Sequence, residues 1–399
     1  MREAYSKLDG LRIAMVVTND AASDPRVHKE AEALAGEGAA ITVIAWDRAR
    51  TQPTREDRKA YGIVRLGPVA PHGGGLANLG AYRRYWASAV KEILQMGPHV
   101  VHCHDTDTAL VGLRSLRASG GPCALVLDLH ELYRESRMIP RSGVKGILAR
   151  SAVWWIESFA ARRAALVVVA NPGQAGCVAG VAAGDARIAI VENTPELSRF
   201  PPSDAGFRDR DQGDPLKVCY VGQKRTVDRL VGLMEAVEVT PGTSALIAGG
   251  GPAADEVSRA AEGRERIEIV GRVAYEQVAR LYDGCDAVYA VYDTSVGNYR
   301  THFPVKVMEA MAVGVPVMVS AGTWIAAYVE REGIGVAVRE HDVAQITSVL
   351  GQWRDDPAAC AAMGRRGRAI IDSGLNWETS AQRLVDAYAS RVLPRVPLG

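Results

Sequence analysis

Phe303-Pro304-Val305-Lys306-Val307-Met308-Glu309 is the stretch of this 399-residue chain best suited to chemistry. Pro304 fits the first helical position, where its missing N–H costs nothing. The N–H groups of Val305 and Lys306 are then donors at a positive helix end, which suits a phosphate. Glu309 falls about one turn later, where a carboxylate can accept hydrogen bonds from ribose hydroxyls. Gly314-Val315-Pro316 ends the helix and leads into a buried strand, Val317–Val319. One element would thus hold a diphosphate and a sugar ring. The same pattern also describes an amphipathic αβ unit with an incidental glutamate.

Other candidate positions stand where apolar runs end. Gly249-Gly250-Gly251-Pro252 follows an apolar strand and lets the backbone approach a ligand. No Gly-Lys-Ser/Thr follows, and Pro252 interrupts a dinucleotide fingerprint. Lys224 and Arg225 follow a strand and Gly222, at the edge where a parallel sheet holds its ligands, with Arg229 as a further cation. A solvated basic turn is the alternative. His130 ends strand Ala124–Leu129 at the corresponding edge, with a hydrogen-bonded structural histidine as the alternative. His102 and His104 share one strand face, but the spacing of His102-Cys103-His104-Asp105 matches no zinc pattern. Asp105-Thr106-Asp107 has the form of a metal-binding Asp-x-Asp, yet Asp107 reads equally well as the cap of a helix Thr108–Ser119. No metal is expected.

Strand and helix patterns alternate from end to end, which implies a parallel α/β fold. The first unit runs from strand Arg12–Val17 through a loop Thr18–Ser23 to a helix capped by Asp24 with Pro25 behind it, then strand Ile41–Ala45. Strands Val100–Cys103, Ala124–Leu129, Leu166–Ala170 and Ile188–Val191 follow. Ser198–Pro215 is rich in prolines and charges and reads as a linker. The count then restarts with Lys217–Val221, Ser244–Ala248, Ile267–Val270, Ala287–Val291 and Val317–Val319. Two Rossmann-like domains are expected, residues 1–200 and 214–376, with 377–399 as a terminal helix and tail.

Composition narrows the classes. A net charge of +1 gives no support for a nucleic-acid surface. No apolar run reaches the length of a membrane-spanning helix, and the N-terminus has no apolar signal core. The six cysteines are scattered without a C-x-x-C pair, which reads as reduced thiols and a cytoplasmic protein. The segment Arg141–Arg163 has five basic residues, one acid and Trp154-Trp155-Ile156. Val144, Ile147, Ser151, Trp154 and Ser158 share a face. That face either packs in a domain, with arginines snorkelling, or touches an anionic membrane.

In order along nearly the whole chain, Asp24-Pro25-Arg26-Val27, His102-Cys103-His104-Asp105, Asp128-Leu129-His130-Glu131-Leu132-Tyr133, Val191-Glu192-Asn193-Thr194-Pro195, Tyr220-Val221-Gly222, Ala248-Gly249-Gly250-Gly251-Pro252, Val270-Gly271-Arg272-Val273, the Glu309 helix and Trp377-Glu378 resemble one family. It is the retaining, nucleotide-sugar-dependent glycosyltransferases of GT-B architecture, family 4-like and group 1. The resemblance implies two Rossmann-like doubly wound domains with a cleft between them and a C-terminal helix crossing back to the first. It implies an acceptor-binding first domain, with Asp24 and His104 near the acceptor and His130 at the reacting sugar. It implies a donor-binding second domain that uses Gly222, Lys224, Arg225, Gly250, Gly251, Arg272, Asn298, Tyr299, Thr301, Val305, Lys306 and Glu309.

The chain departs from the family pattern in three places. Thr301 stands where many members have the first of two glutamates, although Asn298-Tyr299-Arg300 matches one branch. Ala21-Ala22-Ser23 replaces paired glycines. The loop after Gly222 is short. The expected activity is transfer of a sugar from a UDP- or GDP-linked donor to a small-molecule or glycan acceptor, with retention and without cofactor or metal. Expected partners are donor and acceptor, no nucleic acid, and at most peripheral membrane contact. A nucleotide-sugar epimerase and a catalytically silent binding module are the alternatives.

Overall fold

The computed structural model describes residues 6–22, 24–71, 78–121, 123–136, 139, 143–181, 187–200, 214–273, 277–282 and 284–397. Most of the predicted linker (201–213), and with it Ser23 and Arg141, lies outside the described residues. The chain divides into two units, Met1–Asn193 with Thr379–Gly399, and Thr194–Glu378.

The first unit contains β1 (Arg12–Val16), α1 (Pro25–Gly36), β2 (Ala40–Trp46), β3 (Arg55–Asp57), β4 (Gly62–Leu66), α2 (Leu79–Met96), β5 (Val100–His104), α3 (Thr106–Ala118), β6 (Ala124–Leu129), α4 (Gly143–Arg163), β7 (Leu166–Val169), α5 (Pro172–Ala179) and β8 (Ile188–Ile190). Its eight-stranded sheet has the order β3-β4-β2-β1-β5-β6-β7-β8. Only the short edge strand β3 pairs antiparallel. The central strands read as unbroken apolar runs because helices cover both faces of a parallel sheet. Tyr85 on α2 stacks on Trp46 at 5.1 Å, and its hydroxyl donates to the Val17 carbonyl at 2.6 Å, which satisfies the polar tip of a fully buried ring.

The second unit contains β9 (Leu216–Val221), α6 (Asp228–Val239), β10 (Thr243–Ala248), α7 (Ala254–Ala261), β11 (Ile267–Val270), α8 (Val278–Tyr282), β12 (Ala287–Ala290), α9 (Asn298–Thr301), α10 (Val305–Val313), β13 (Val317–Ser320), α11 (Trp324–Glu332), β14 (Gly335–Val338), α12 (Val343–Asp355), α13 (Pro357–Asp372) and the start of α14 (Trp377–Ala387). Its six strands are all parallel, in the order β11-β10-β9-β12-β13-β14. Both sheets reverse their strand order beside the first strand of the unit, the place where doubly wound folds bind ligands. From Thr379 onward the chain rejoins the first unit. There Arg383 pairs with Glu192 at 2.9 Å and the Tyr388 hydroxyl meets His102 Nδ1 at 2.7 Å.

Local chemistry sets the helix ends. Asp24 caps α1 by accepting from the Val27 N–H, and Pro25 occupies the first turn as expected. Pro304 differs from expectation: its extended backbone makes it the cap of α10, so Val305 and Lys306 are the first two helical residues. Gly314 ends α10 in the left-handed region, as its sequence position suggested. α3 begins two residues before the expected start. Asp105 holds its capping position at φ +64 without a side-chain cap bond, and Asp107 is half-buried in the first turn, accepting from the Thr18 hydroxyl.

Cys219 on β9 and Cys285 before β12 form a disulfide with Cα atoms 5.9 Å apart, where six free thiols were expected. The two cysteines are 66 residues apart, so the pairing leaves no sequence motif. Among the described residues no helix is long and apolar enough to cross a membrane.

α13 fixes the helix that carries Glu309. Arg368 donates to the Ala312 carbonyl at 2.7 Å, satisfying the C-terminal end of α10. A Cβ on Gly364 would lie 1.8 Å from the Gly314 carbonyl oxygen, so only glycine permits this approach. Gly364→Ala is therefore expected to destabilise the second unit by about 2–4 kcal/mol, through backbone displacement rather than lost contacts. A melting temperature within a degree of wild type would refute the close approach.

Candidate active site

At the ligand edge of the first sheet, Arg26 on α1 lies almost fully buried. It donates to Asp128 Oδ1 at 2.7 Å and Oδ2 at 3.0 Å, and to the Val191 carbonyl at 2.8 Å. Asp128 ends β6. Its Oδ2 also accepts from His104 Nδ1 at 3.1 Å and His130 Nε2 at 2.9 Å. His130 is further placed by Asp105, whose Oδ1 accepts the His130 backbone N–H at 2.9 Å while Oδ2 lies 3.6 Å from Nδ1. The positive φ of Asp105 is thus tied to the placement of His130, the kind of local strain that ligand edges carry.

The electrostatics give these groups different protonation states. Burial raises the Asp128 carboxyl, but Arg26 and then His130 outweigh it and hold the group well below the usual carboxylate range. Burial lowers the His130 imidazole, but Asp105 and Asp128 pull it up to about 10. His130 is therefore an imidazolium at neutral pH, with both ring nitrogens facing carboxylates. Burial pushes the Asp105 carboxyl up to about 7 despite His130. His104 is lowered, chiefly by burial, and is 3% exposed. It stacks at 4.4 Å on His102 and supports His130 instead of offering a surface to an acceptor, which corrects its expected role. Asp24 is half-buried. Burial raises its carboxyl, but His130, Asn19 and His104 hold it below its usual value.

Glu30, His102, His104 and Asp128 bring one potential ligand atom each within 4.8 Å of the others. Arg26 already supplies the cation here, with Nε 3.0 Å from Glu30 Oε1. That contact lacks hydrogen-bond alignment, and the Glu30 carboxyl is pushed up, first by burial and further by Asp128. A divalent ion placed here would meet the guanidinium at the shared carboxylates.

The ligand edge of the second sheet is built differently. Gly222, at the end of β9, faces Gly249 so closely that a Cβ on Gly249 would fall 2.0 Å from the Gly222 carbonyl oxygen. Lys306 Nζ lies 3.5 Å above the Tyr220 ring and 5.0 Å from that of Tyr292, beside Gly222. Burial, with Arg225 adding to it and Glu309 opposing, lowers the Lys306 ammonium to about 7. Arg225 is exposed on the same loop. Glu309 is buried three residues on, its Oε2 accepting from the Tyr282 hydroxyl at 2.9 Å.

Two expected cations turn elsewhere. Lys224 is 1% exposed and donates to the Val270 carbonyl at 3.0 Å, so it braces the glycine loop. Arg229 pairs with Asp228, Asp293 and Glu340. Gly250 and Gly251 form the facing loop, and Arg272 is exposed with its Cβ beside Gly250. Asn298 is buried at the start of α9, and Thr301 is half-buried at its end. Tyr299 packs at 5.0 Å on Tyr292 and 5.4 Å on His302. Val305 opens α10.

The sequence motifs included Arg26, Asp128 and Tyr220 without giving them a role, and left out Glu30, Tyr282, Tyr292 and His302. The available signal was a lone Asp in the apolar run Ala124–Leu129 and an Arg and Glu four apart on the apolar face of α1.

His130 has a folded pKa above its unfolded value, so its stabilisation is complete below about 6.5 and is lost as pH rises through about 10. Nitrogen-15 NMR of the imidazole is expected to show a doubly protonated ring still at pH 8. Asp128→Asn is expected to lower that titration and to cost about 3–5 kcal/mol, because Arg26 loses its buried partner. A His130 ring that is neutral at pH 8 would contradict this geometry.

Comparison with known proteins places this architecture. The family model for "Glycosyl transferase 4-like domain" matches residues 23–194, and that for "Glycosyl transferases group 1" matches residues 207–370. A Corynebacterium glutamicum protein described as a GDP-mannose-dependent monoacylated alpha-(1-6)-phosphatidylinositol monomannoside mannosyltransferase is 27% identical over 203 residues, covering 49% of this chain and 52% of that protein. A Mycobacteroides abscessus D-inositol 3-phosphate glycosyltransferase is 26% identical over 227 residues, covering 53% and 48%. The alignments span about half the length of these curated relatives. Among solved structures, sucrose-phosphate synthase from Thermosynechococcus elongatus superposes with a TM-score of 0.76 at 20% identity, covering 95% of this chain and 98% of that one, which shows a shared GT-B fold. With both family models matched in order along two doubly wound sheets, the chain belongs to the group 1, family 4-like glycosyltransferases.

Proposed function

We propose that the chain transfers a sugar from a UDP- or GDP-linked donor to a small-molecule or glycan acceptor, with retention of anomeric configuration and without a metal. The observation that carries the reading is the ligand edge of the second sheet. There the partly desolvated Lys306 ammonium, the first N–H groups of α10, the bare backbone at Gly222 and the Glu309 carboxylate stand together. A diphosphate supplies the anion that such an ammonium lacks, and cation with helix start would stabilise it as leaving group. Glu309 would receive the ribose hydroxyls. The second unit is thus proposed to bind the donor, with Gly250, Gly251, Arg225, Arg272, Asn298, Tyr299 and Thr301 around it. The first is proposed to bind the acceptor beside Asp24.

His130 is proposed as the catalytic group of the first unit. Held as an imidazolium by two carboxylates, it can donate a hydrogen bond and stabilise negative charge, and it is a poor base at neutral pH. The relatives' GDP-mannose and inositol-phosphate chemistry supports the substrate class. Action in the cytoplasm is part of the same proposal; among the described residues no helix is long and apolar enough to cross a membrane.

Transfer assays with UDP- and GDP-sugars, with product anomers read by NMR, test the reading. Glu309→Gln keeps an oxygen for Tyr282 but removes a charge, and is expected to weaken nucleotide binding about 10- to 150-fold. Unchanged affinity by calorimetry would remove the ribose role. Nucleotide binding should take up protons above pH 7, because a diphosphate raises the Lys306 pKa from about 7. Affinity is then expected to fall by up to about tenfold per unit as pH rises from 7 to 9, and Lys306→Met should flatten that slope. His130→Ala should lower turnover about 100-fold with little change in donor affinity. A folded variant with normal turnover would remove His130 from the chemistry. Activity that disappears in EDTA and returns with magnesium would overturn the metal-free proposal.

A further inference from the structure

Helix α4 turns its largest apolar side chains away from the protein. Its buried residues are Gly146, Glu157, Ser158, Ala160 and Ala161, which are small apart from one acid. Val144, Ile147, Leu148, Trp154 and Trp155 are all exposed, from 43% for Trp154 to 74% for Val144. The face for which the sequence left packing and membrane contact open is thus mostly exposed among the described residues at Val144 and Ile147, while Trp154 is partly exposed beside Leu129 and Leu132. At 3.6 residues per turn the five apolar side chains fall within an arc of about 120°.

The charges on α4 indicate what this arc meets. Lys145, Arg150, Arg162 and Arg163 are exposed or half-buried. The only acid, Glu157, is buried and accepts from the Thr106 hydroxyl at 2.8 Å and the Tyr133 N–H at 3.2 Å. The exposed side of the helix thus carries positive charge alone, on a chain whose net charge is only +1. Lys145 and Arg163 border the apolar arc on one side and Arg150 on the other, where long stems can lie along an apolar phase with their heads in a headgroup layer. Arg163 lies 3.5 Å over the Phe159 ring, and Phe159 stacks on Trp155 at 5.0 Å, so cation and indole form one ladder. A second copy would bring the same basic borders face to face, which like charges oppose.

We propose that the exposed face of α4 docks on an anionic lipid surface, lying in the plane of the interface with Val144, Ile147, Leu148, Trp154 and Trp155 in the acyl boundary and the basic residues at the headgroups. The test is co-sedimentation of the full chain with vesicles of phosphatidylcholine alone and of phosphatidylcholine mixed with phosphatidylglycerol. Binding is expected only to the mixed vesicles and should weaken in high salt. Trp154→Ser with Trp155→Ser, and separately Lys145→Glu with Arg150→Glu, should each reduce vesicle binding at least about tenfold with unchanged melting temperature and nucleotide affinity. The charge pair guards against an aromatic variant that fails to fold. Failure of the wild type to bind anionic vesicles, or equal binding by wild type and both variants, would overturn the proposal. So would a dimer in sedimentation equilibrium that the tryptophan variant converts to monomer without vesicle binding, since the occupant would then be a second copy.

Discussion

The first unit depends on one buried ion pair. Arg26 reaches from α1 to both oxygens of Asp128 at the end of β6 and to the carbonyl of Val191 beyond β8, so a single guanidinium ties the first crossover to the far side of the sheet. Its planar fork suits this role, because a lysine could not hold both carboxylate oxygens and a carbonyl at once. The pair also sets the protonation of its surroundings. Arg26 keeps Asp128 charged, Asp105 and Asp128 together raise His130, and burial with Asp128 pushes Glu30 toward neutrality. A buried pair of this kind adds little net stability over an apolar one, so its chief contribution here is orientation.

In the second unit, backbone proximity takes the place of ion pairing. The Gly222 and Gly249–Gly251 loops meet without side chains between them, braced by Lys224, which donates to the Val270 carbonyl and whose own backbone N–H donates to the Gly250 carbonyl at 2.7 Å. The same bareness leaves room above β9 for Lys306 to lie between two tyrosine rings. α13 seals the other end of α10 through Gly364 and Arg368, so the helix bearing both Lys306 and Glu309 is fixed at each end.

Most of the fold was legible in the sequence because parallel strands covered on both faces leave uninterrupted apolar runs, such as Ala124–Leu129 and Ile267–Val270, which match β6 and β11 residue for residue. The elements that escaped were those without that signal: the short edge strand β3, whose residues are mostly exposed, and β4 and β14, each entered through a glycine. The candidate site was legible wherever backbone geometry demands a residue type, as at Asp24, Gly222 and Gly314. It was illegible where side chains choose between partners. Lys224 and Arg225 are adjacent cations after the same strand, yet one turns to a carbonyl and the other to solvent. His104 and His130 both stand at strand ends, yet only His130 reaches the surface: His104 is still within β5 and buried, whereas His130 lies one residue beyond β6.

The two ligand edges are poised in opposite senses, and this separates their tasks. His130 carries a charge that its own unit over-stabilises. Two carboxylates hold it whether or not a ligand is present, so its state changes little on binding. Lys306 carries a charge that burial under-stabilises, balanced by aromatic faces and by Glu309 as the one opposing carboxylate among its main influences. An anion bound there recovers the solvation that Lys306 lost on folding, so binding energy at this edge is largest for a ligand of concentrated negative charge. The preference for a diphosphate over a neutral sugar would then arise from the folding cost of one lysine. Under the proposed transfer, the fixed cation in the first unit would be left to act on charge that develops only in the transition state.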